Sequence, residues 1–132
     1  MAQLFLNVLQ DNRSKSRFLL HEFVLMPDHF HLIITPAADV SLEKAVQYIK
    51  GGFSFRAKKE LAFQYLIWQE GFTNHRIRNA EDYQQHREYI HHNPVKAGLV
   101  KLPSEYPYSS AFPGMDLDPA PPALKLTRSV GV

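Results

Sequence analysis

The sequence predicts an α+β fold, with helices packed on an antiparallel sheet. Two β-rich runs, FLLHEFVLM (18–26) and HFHLIIT (29–35), are joined by a Pro-Asp turn signal and read as a hairpin. Apolar residues at helical spacing stand on both sides of that hairpin. A third helix, NAEDYQQHREYIHHN (79–93), opens on an N-cap residue and runs into a proline.

The elements follow in order. Residues 2–12 bring Leu4, Leu6, Val8 and Leu9 close together, as a short helix does, and NRSKSR is a polar turn. After the hairpin, Pro36 and the AAD behind it close the second strand. Ser41 is a suitable N-cap for a helix carrying Leu42, Ala45, Val46 and Ile49. Gly51-Gly52 is expected to interrupt it, with a second helical stretch over FSFRAKKELAF. Residues 65–78 return to strand-like composition around a turn at Gly71. Asn79 caps the next helix, Glu81 and Asp82 complement its dipole, and Pro94 is expected to end it. Residues from about 113, with PGMDLDPAPP, are expected to form a proline-rich, flexible tail outside the core.

Composition narrows the class. A chain of 132 residues with 45% apolar content is a single-domain globular protein. No apolar run approaches the roughly 20 residues that span a bilayer, and the start lacks the features of a signal peptide. With no cysteine, disulfides and sulfur-based zinc sites are excluded. A cytoplasmic protein without a membrane partner is the default expectation. The net charge of +2 is small, but the stretch from Lys50 to Lys101 holds nine basic against five acidic residues. That excess suits a polyanionic partner and is equally usual on a solvated face.

The chemistry-bearing residues sit in two places. On a strand, His29, His31 and Ile33 share one face, while Phe30, Leu32 and Ile34 fill the other with core residues. Two imidazoles on alternate positions are able to face one metal ion, although a partly exposed strand with two polar residues is the plainer reading of the tripeptide alone. On the helix at 79–93, Tyr83, Arg87 and Ile90 form one stripe. At ~100° per residue, Tyr89 and Asn93 lie on a shared flank about 120° and 80° from Tyr83, with His86 beside them. A tyrosine and a carboxamide one turn apart fit a nucleophile and a metal ligand; from spacing alone an amphipathic core-edge tyrosine and a helix-ending asparagine are the plainer reading. His91 and His92 are explained by the helix C-terminus, which favours positive charge. Tyr65, Trp68 and Phe72 suit base stacking but are more often core.

Together, FVLMPDHFHLII, GGFSFRAKKEL, IWQEGFTNHRIRNAEDY, REYIHHNPVKAGLV and EYPYSS resemble, in this order, the REP-associated tyrosine transposases, members of the single-tyrosine HUH transposase superfamily. The similarity covers about residues 3–112, so the domain is expected at 1–112 with the tail at 113–132. The resemblance implies a ferredoxin-like α+β domain around a central antiparallel sheet. It implies a divalent metal, Mg²⁺ or Mn²⁺, held by His29 and His31 and completed by Asn93, with Tyr89 as nucleophile. Imidazole ligands by themselves suit zinc and other transition metals better than magnesium. The implied reaction is cleavage and rejoining of single-stranded DNA, often beside a hairpin, through a covalent 5′-phosphotyrosine. Arg56, Lys58, Lys59, Arg76 and Arg78 are the expected DNA-backbone contacts, and a homodimer is compatible with the family.

The departure is at the front. Relatives begin with a strand ahead of the first helix, whereas this chain starts at what reads as the helix. The first strand of the sheet is therefore expected to be missing. Glu70 also stands where many relatives carry a basic residue. The second reading is accordingly a catalytically inactive or domesticated hairpin-DNA-binding remnant; an unrelated metal hydrolase using the His29–His31 pair is a third, which the five ordered motifs oppose.

Overall fold

The computed structural model describes residues 2–61 and 71–132. The strand-like stretch with Tyr65, Trp68 and Glu70 lies outside the described residues. Chain order is α1 (Ala2–Ser14), β1 (Phe18–Leu25), β2 (Phe30–Pro36), α2 (Leu42–Leu61), β3 (Thr73–Arg76), α3 (Ala80–Lys96) and β4 (Arg128–Gly131), with a 3₁₀ turn at Pro103–Glu105. The four strands form one antiparallel sheet in the order β1-β2-β4-β3. This is the α+β, ferredoxin-like arrangement expected.

Strand alternation divides the core in two. Phe30, Leu32 and Ile34 of β2 meet Leu4, Phe5, Val8 and Leu9 of α1 and Ala45, Val46, Ile49 and Phe53 of α2. Ile33 points the other way and meets Val24, Met26, Ile77 and Ile90, so α3 covers the opposite face. A β-bulge in β1 adjusts this pattern: Leu20 pairs with Ile34 and Glu22 with Ile33, leaving His21 as the extra residue. Leu20, Phe23 and Leu25 thereby all join the α1–α2 core, while Glu22 turns to the α3 side, where it meets His91.

Three expectations are corrected. Helix α2 is continuous through Gly51-Gly52. Two glycines cost helix propensity of roughly 1 kcal/mol each but no hydrogen bond, and buried Ile49 and Phe53 on either side hold the helix to the core. Helix α3 likewise passes Pro94 and ends after Lys96. Proline removes one donor, but Ala97 N–H donates to Asn93 O, and Gly98, at φ 78°, turns the chain so that Leu99 N–H reaches Pro94 O.

The third correction concerns the tail. Residues 113–132 are not a structureless extension: Arg128–Gly131 form β4, inside the sheet between β2 and β3, with Val130 fully buried. The expected gap in the central sheet is thus occupied by a strand from the C-terminal side of the chain. The reason lies in mixed composition. PGMDLDPAPP makes turns, but TRSVGV beyond it carries β-branched residues able to pair. Asp118 pins the intervening segment. Its carboxylate accepts two hydrogen bonds from Arg13 (2.9 and 3.0 Å) and one from Leu20 N–H (2.9 Å). Its own N–H donates to Leu20 O, and its carbonyl lies 2.9 Å from His21 Nδ1.

Hydrogen bonds to the Arg13 guanidinium hold the Asp118 carboxyl below the usual carboxylate range. A depressed folded value means that this contribution is fully present above the ordinary carboxylate value and is lost as pH falls through the folded one. Asp118→Ala is expected to destabilise the chain by roughly 1.5–3 kcal/mol, seen as a lower urea midpoint at neutral pH, with the difference from the parent shrinking in acid.

A candidate metal and tyrosine centre

The hairpin turn closes with Met26 N–H donating to His29 O (2.8 Å), which sets His29 one residue before β2. His29 and His31 then share a face, their rings 5.3 Å apart and nearly perpendicular. Asp28 Oδ1 lies 2.7 Å from His29 Nδ1. A carboxylate on one ring nitrogen fixes orientation and leaves Nε2 for a ligand, as outer partners of metal-bound histidines do. Burial first, and the neighbouring His29 and His86 next, push His31 down to about 4. Its imidazole is therefore neutral near pH 7, the form that donates a lone pair.

Strand β4 forms the floor under His31. His31 pairs with Gly131 across the sheet. A methyl at Gly131 would stand 2.9 Å from His31 Cε1, 3.0 Å from His31 Nδ1 and 2.9 Å from Thr73 Oγ1. Only glycine lets the ring lie this close to the backbone.

Helix α3 brings the tyrosine. Ile90 is buried against Val24, Met26, Ile33 and Ile77, with Tyr83 packed beside them. Burial first, then Glu22, push the Tyr83 hydroxyl up to about 12. Tyr89 is instead 53% exposed, and its ring stands edge-on to His31 at 5.3 Å. Of these two tyrosines on α3, Tyr89 is thus the one beside the histidines and open to a substrate. Asn93 follows one helical turn later, half-buried. His91 does not serve as a helix-end charge: its Nε2 lies 2.6 Å from Glu22 Oε1, which also accepts from Ser110 Oγ–H (2.8 Å). That buried carboxylate ties α3 to β1. His92 Nδ1 lies 3.0 Å from Glu88 O within its own helix.

His31 and Tyr89 line a cavity of about 420 Å³ with Ser129 and Gly131 of β4, His75 of β3 and His86 of α3. His75 and Asp82 were missed by the sequence reading. Asp82 at i and His86 at i+4 on one helix were the available signal; the tight β3–α3 connection that adds His75 was not visible in spacing.

The basic residues divide. Arg76 and Arg78 are exposed on either side of Ile77. Arg78 stands at the start of α3, its N–H on Asp82. Arg76 lies across from Arg128, which lies across from Ile34, so it alternates with His75 and shares the α1–α2 face of the sheet. Arg56, Lys58 and Lys59 belong to α2, on that same face, away from the cavity. Arg56 is engaged there by Asp11 and Glu60, both at 2.8 Å. Phe72 packs against the α1–α2 core.

The family model described as "Transposase IS200 like" matches residues 1–93. The chain belongs to this transposase family. A REP-associated tyrosine transposase of Escherichia coli is 37% identical over 94 residues, covering 70% of this chain and 54% of the relative. A putative REP-associated tyrosine transposase of Haemophilus influenzae is 33% identical over 96 residues, covering 65% of this chain and 54% of the relative. The chain thus spans about half the length of these curated relatives. A solved REP-associated tyrosine transposase bound to a REP hairpin superposes with a TM-score of 0.69 at 33% identity, covering 82% of this chain and 63% of that one. No helix among the described residues is long and apolar enough to cross a membrane.

Gly131→Ala is expected to displace the His31 ring. Its cost is about 1–3 kcal/mol of stability, with weaker Mn²⁺ binding by calorimetry and an unchanged far-UV spectrum. Unaltered metal affinity would show that the close approach at Gly131 does not position His31.

Proposed function

We propose that this chain cleaves and rejoins single-stranded DNA beside a hairpin, with Tyr89 as the nucleophile. The observation that carries the reading is the juxtaposition of an exposed tyrosine with a neutral, floor-packed histidine, 5.3 Å ring to ring, in a family of transposases. Membership in the family and the hairpin-bound structural neighbour support the substrate class.

His29, His31 and Asn93 would hold a divalent ion. The two imidazoles fit: His31 is held neutral, and His29 has one nitrogen oriented by Asp28. When bound, such an ion polarises the scissile phosphate and neutralises its developing charge. The remaining work falls to this chain's residues. Tyr89 Oη loses its proton to solvent or a nearby base and attacks phosphorus. The phosphorus–O3′ bond breaks, and the leaving oxygen takes up a proton to give a free 3′-OH. The 5′-phosphate stays on Tyr89. Attack by another 3′-OH reverses the sequence and returns the proton to Tyr89, so rejoining needs no external energy source. Arg78, at the start of α3, is suited to the DNA backbone. Arg56, Lys58, Lys59 and Arg76 lie on the other face and would reach only a strand that wraps the domain.

Incubation with a hairpin-bearing single-stranded oligonucleotide and Mn²⁺ should give a covalent protein–DNA adduct on a denaturing gel. Tyr89→Phe should abolish it and Tyr83→Phe should retain it. An adduct that survives in Tyr89→Phe would overturn the nucleophile assignment. Hairpin binding without an adduct under any metal would assign the chain to the non-cleaving, DNA-binding reading.

A further inference from the structure

We propose that His75, Asp82 and His86 form a second metal site, for a zinc-like transition ion, on the wall of the cavity that also holds His31 and Tyr89. One ligand atom from each residue lies within 4.8 Å of the others. The Nε2 of His75 is 3.1 Å from Asp82 Oδ2, and that of His86 is 3.4 Å from Asp82 Oδ1. Zinc bonded to imidazole nitrogen and carboxylate oxygen at ~2.0–2.2 Å makes a tetrahedron whose edges are about 3.3 Å. The His75 separation already matches a ligand edge, whereas His86 faces the other carboxylate oxygen, so a shared ion would draw the His86 nitrogen and one Asp82 oxygen together within the 4.8 Å that the three ligand atoms span.

The three residues stand on firm supports. His75 is on β3, paired across the sheet with Ser129. Asp82 and His86 are one turn apart on α3. The two imidazoles are stacked, with ring centroids 4.7 Å apart and planes 24° from parallel, so one ring must turn about its side-chain bonds for both nitrogens to face a shared ion. Arg78 N–H donates to Asp82 Oδ2 (3.0 Å), and Asp82 N–H donates to the Asn79 cap (2.8 Å), so the carboxylate is aimed by its own turn. These contacts resemble the outer hydrogen bonds that orient metal ligands. Burial holds His86 below its ordinary value, which favours the neutral, ligating ring.

Ligand chemistry selects the ion. Two imidazoles and one carboxylate suit zinc, cobalt, nickel or iron rather than magnesium or calcium. All three residues are partly exposed, and His75 and His86 line the cavity, so a coordination position is left open to solvent or to a phosphate oxygen.

The test is a Zn²⁺ titration by calorimetry, paralleled by the visible spectrum of Co²⁺. The full chain carrying His29→Ala and His31→Ala should still bind one ion. Adding His75→Ala or His86→Ala should weaken that binding more than about 100-fold, beyond what loss of an outer partner costs. In the otherwise unaltered chain, His75→Ala alone should reduce two bound ions to one, which keeps the test valid if the double variant does not fold. Failure of the His29–His31 reading would instead appear as one ion in the unaltered chain that His75→Ala removes. No ion in the chain lacking His29 and His31, or binding indifferent to His75 and His86, would overturn the proposal and leave the trio as a hydrogen-bonded brace between β3 and α3.

Discussion

Among the described residues, β2 and β3 are joined only through β4: four pairs link β4 to β2 and four link it to β3. The β3 side of the α3 face depends on that insertion. It seats β3, and with it His75 and the turn that starts α3. It also supplies Gly131 as the surface on which the His31 ring rests. His31 and the edge strand therefore share one mechanical support. A side chain at position 131 would press on His31 and on Thr73 of β3, both 2.9 Å from its Cβ.

A second constraint is the polar anchoring of α3. Its apolar contact is narrow, built on Ile90 and a partly buried Tyr83. Orientation is set by the buried Glu22 carboxylate, which gathers Ser110 and His91. Hydrogen bonds to a charged group in such a setting are worth about 1.5–3 kcal/mol each, and they are directional where apolar packing is not. The β-bulge at His21 is what turns Glu22 to this side, so a one-residue irregularity in β1 helps to decide where Tyr89 sits over His31.

The local parts of this arrangement were readable in the sequence. Alternation in HFHLIIT separated the core face from the histidine face, and the flank of the helix on which Tyr89 meets His31 followed from 3.6-residue periodicity. The misreadings share a physical cause. Gly51-Gly52 and Pro94 are local breakers whose cost is offset by tertiary packing and by the turn at Gly98, which propensity does not register. Residues 113–132 were judged by the prolines at their start, although the pairing of Val130 depends on a partner a hundred positions away. His75 and Asp82 escaped for a similar reason: their meeting depends on the path from β3 into α3, not on a motif.

Strand order and chain order disagree, and this bears on how the molecule is made. β1 and β2 pair as soon as their hairpin is complete, whereas among the described residues β3 pairs only with β4, which is synthesised later. Until then the edge of β2 that β4 will cover, and the facing edge of β3, lack that partner, and such edges invite a strand from another chain. The contacts that close the sheet are also among the most distant in sequence, which slows their formation. The growing chain therefore carries His31 and Tyr89 long before it has Gly131, the floor on which the His31 ring rests.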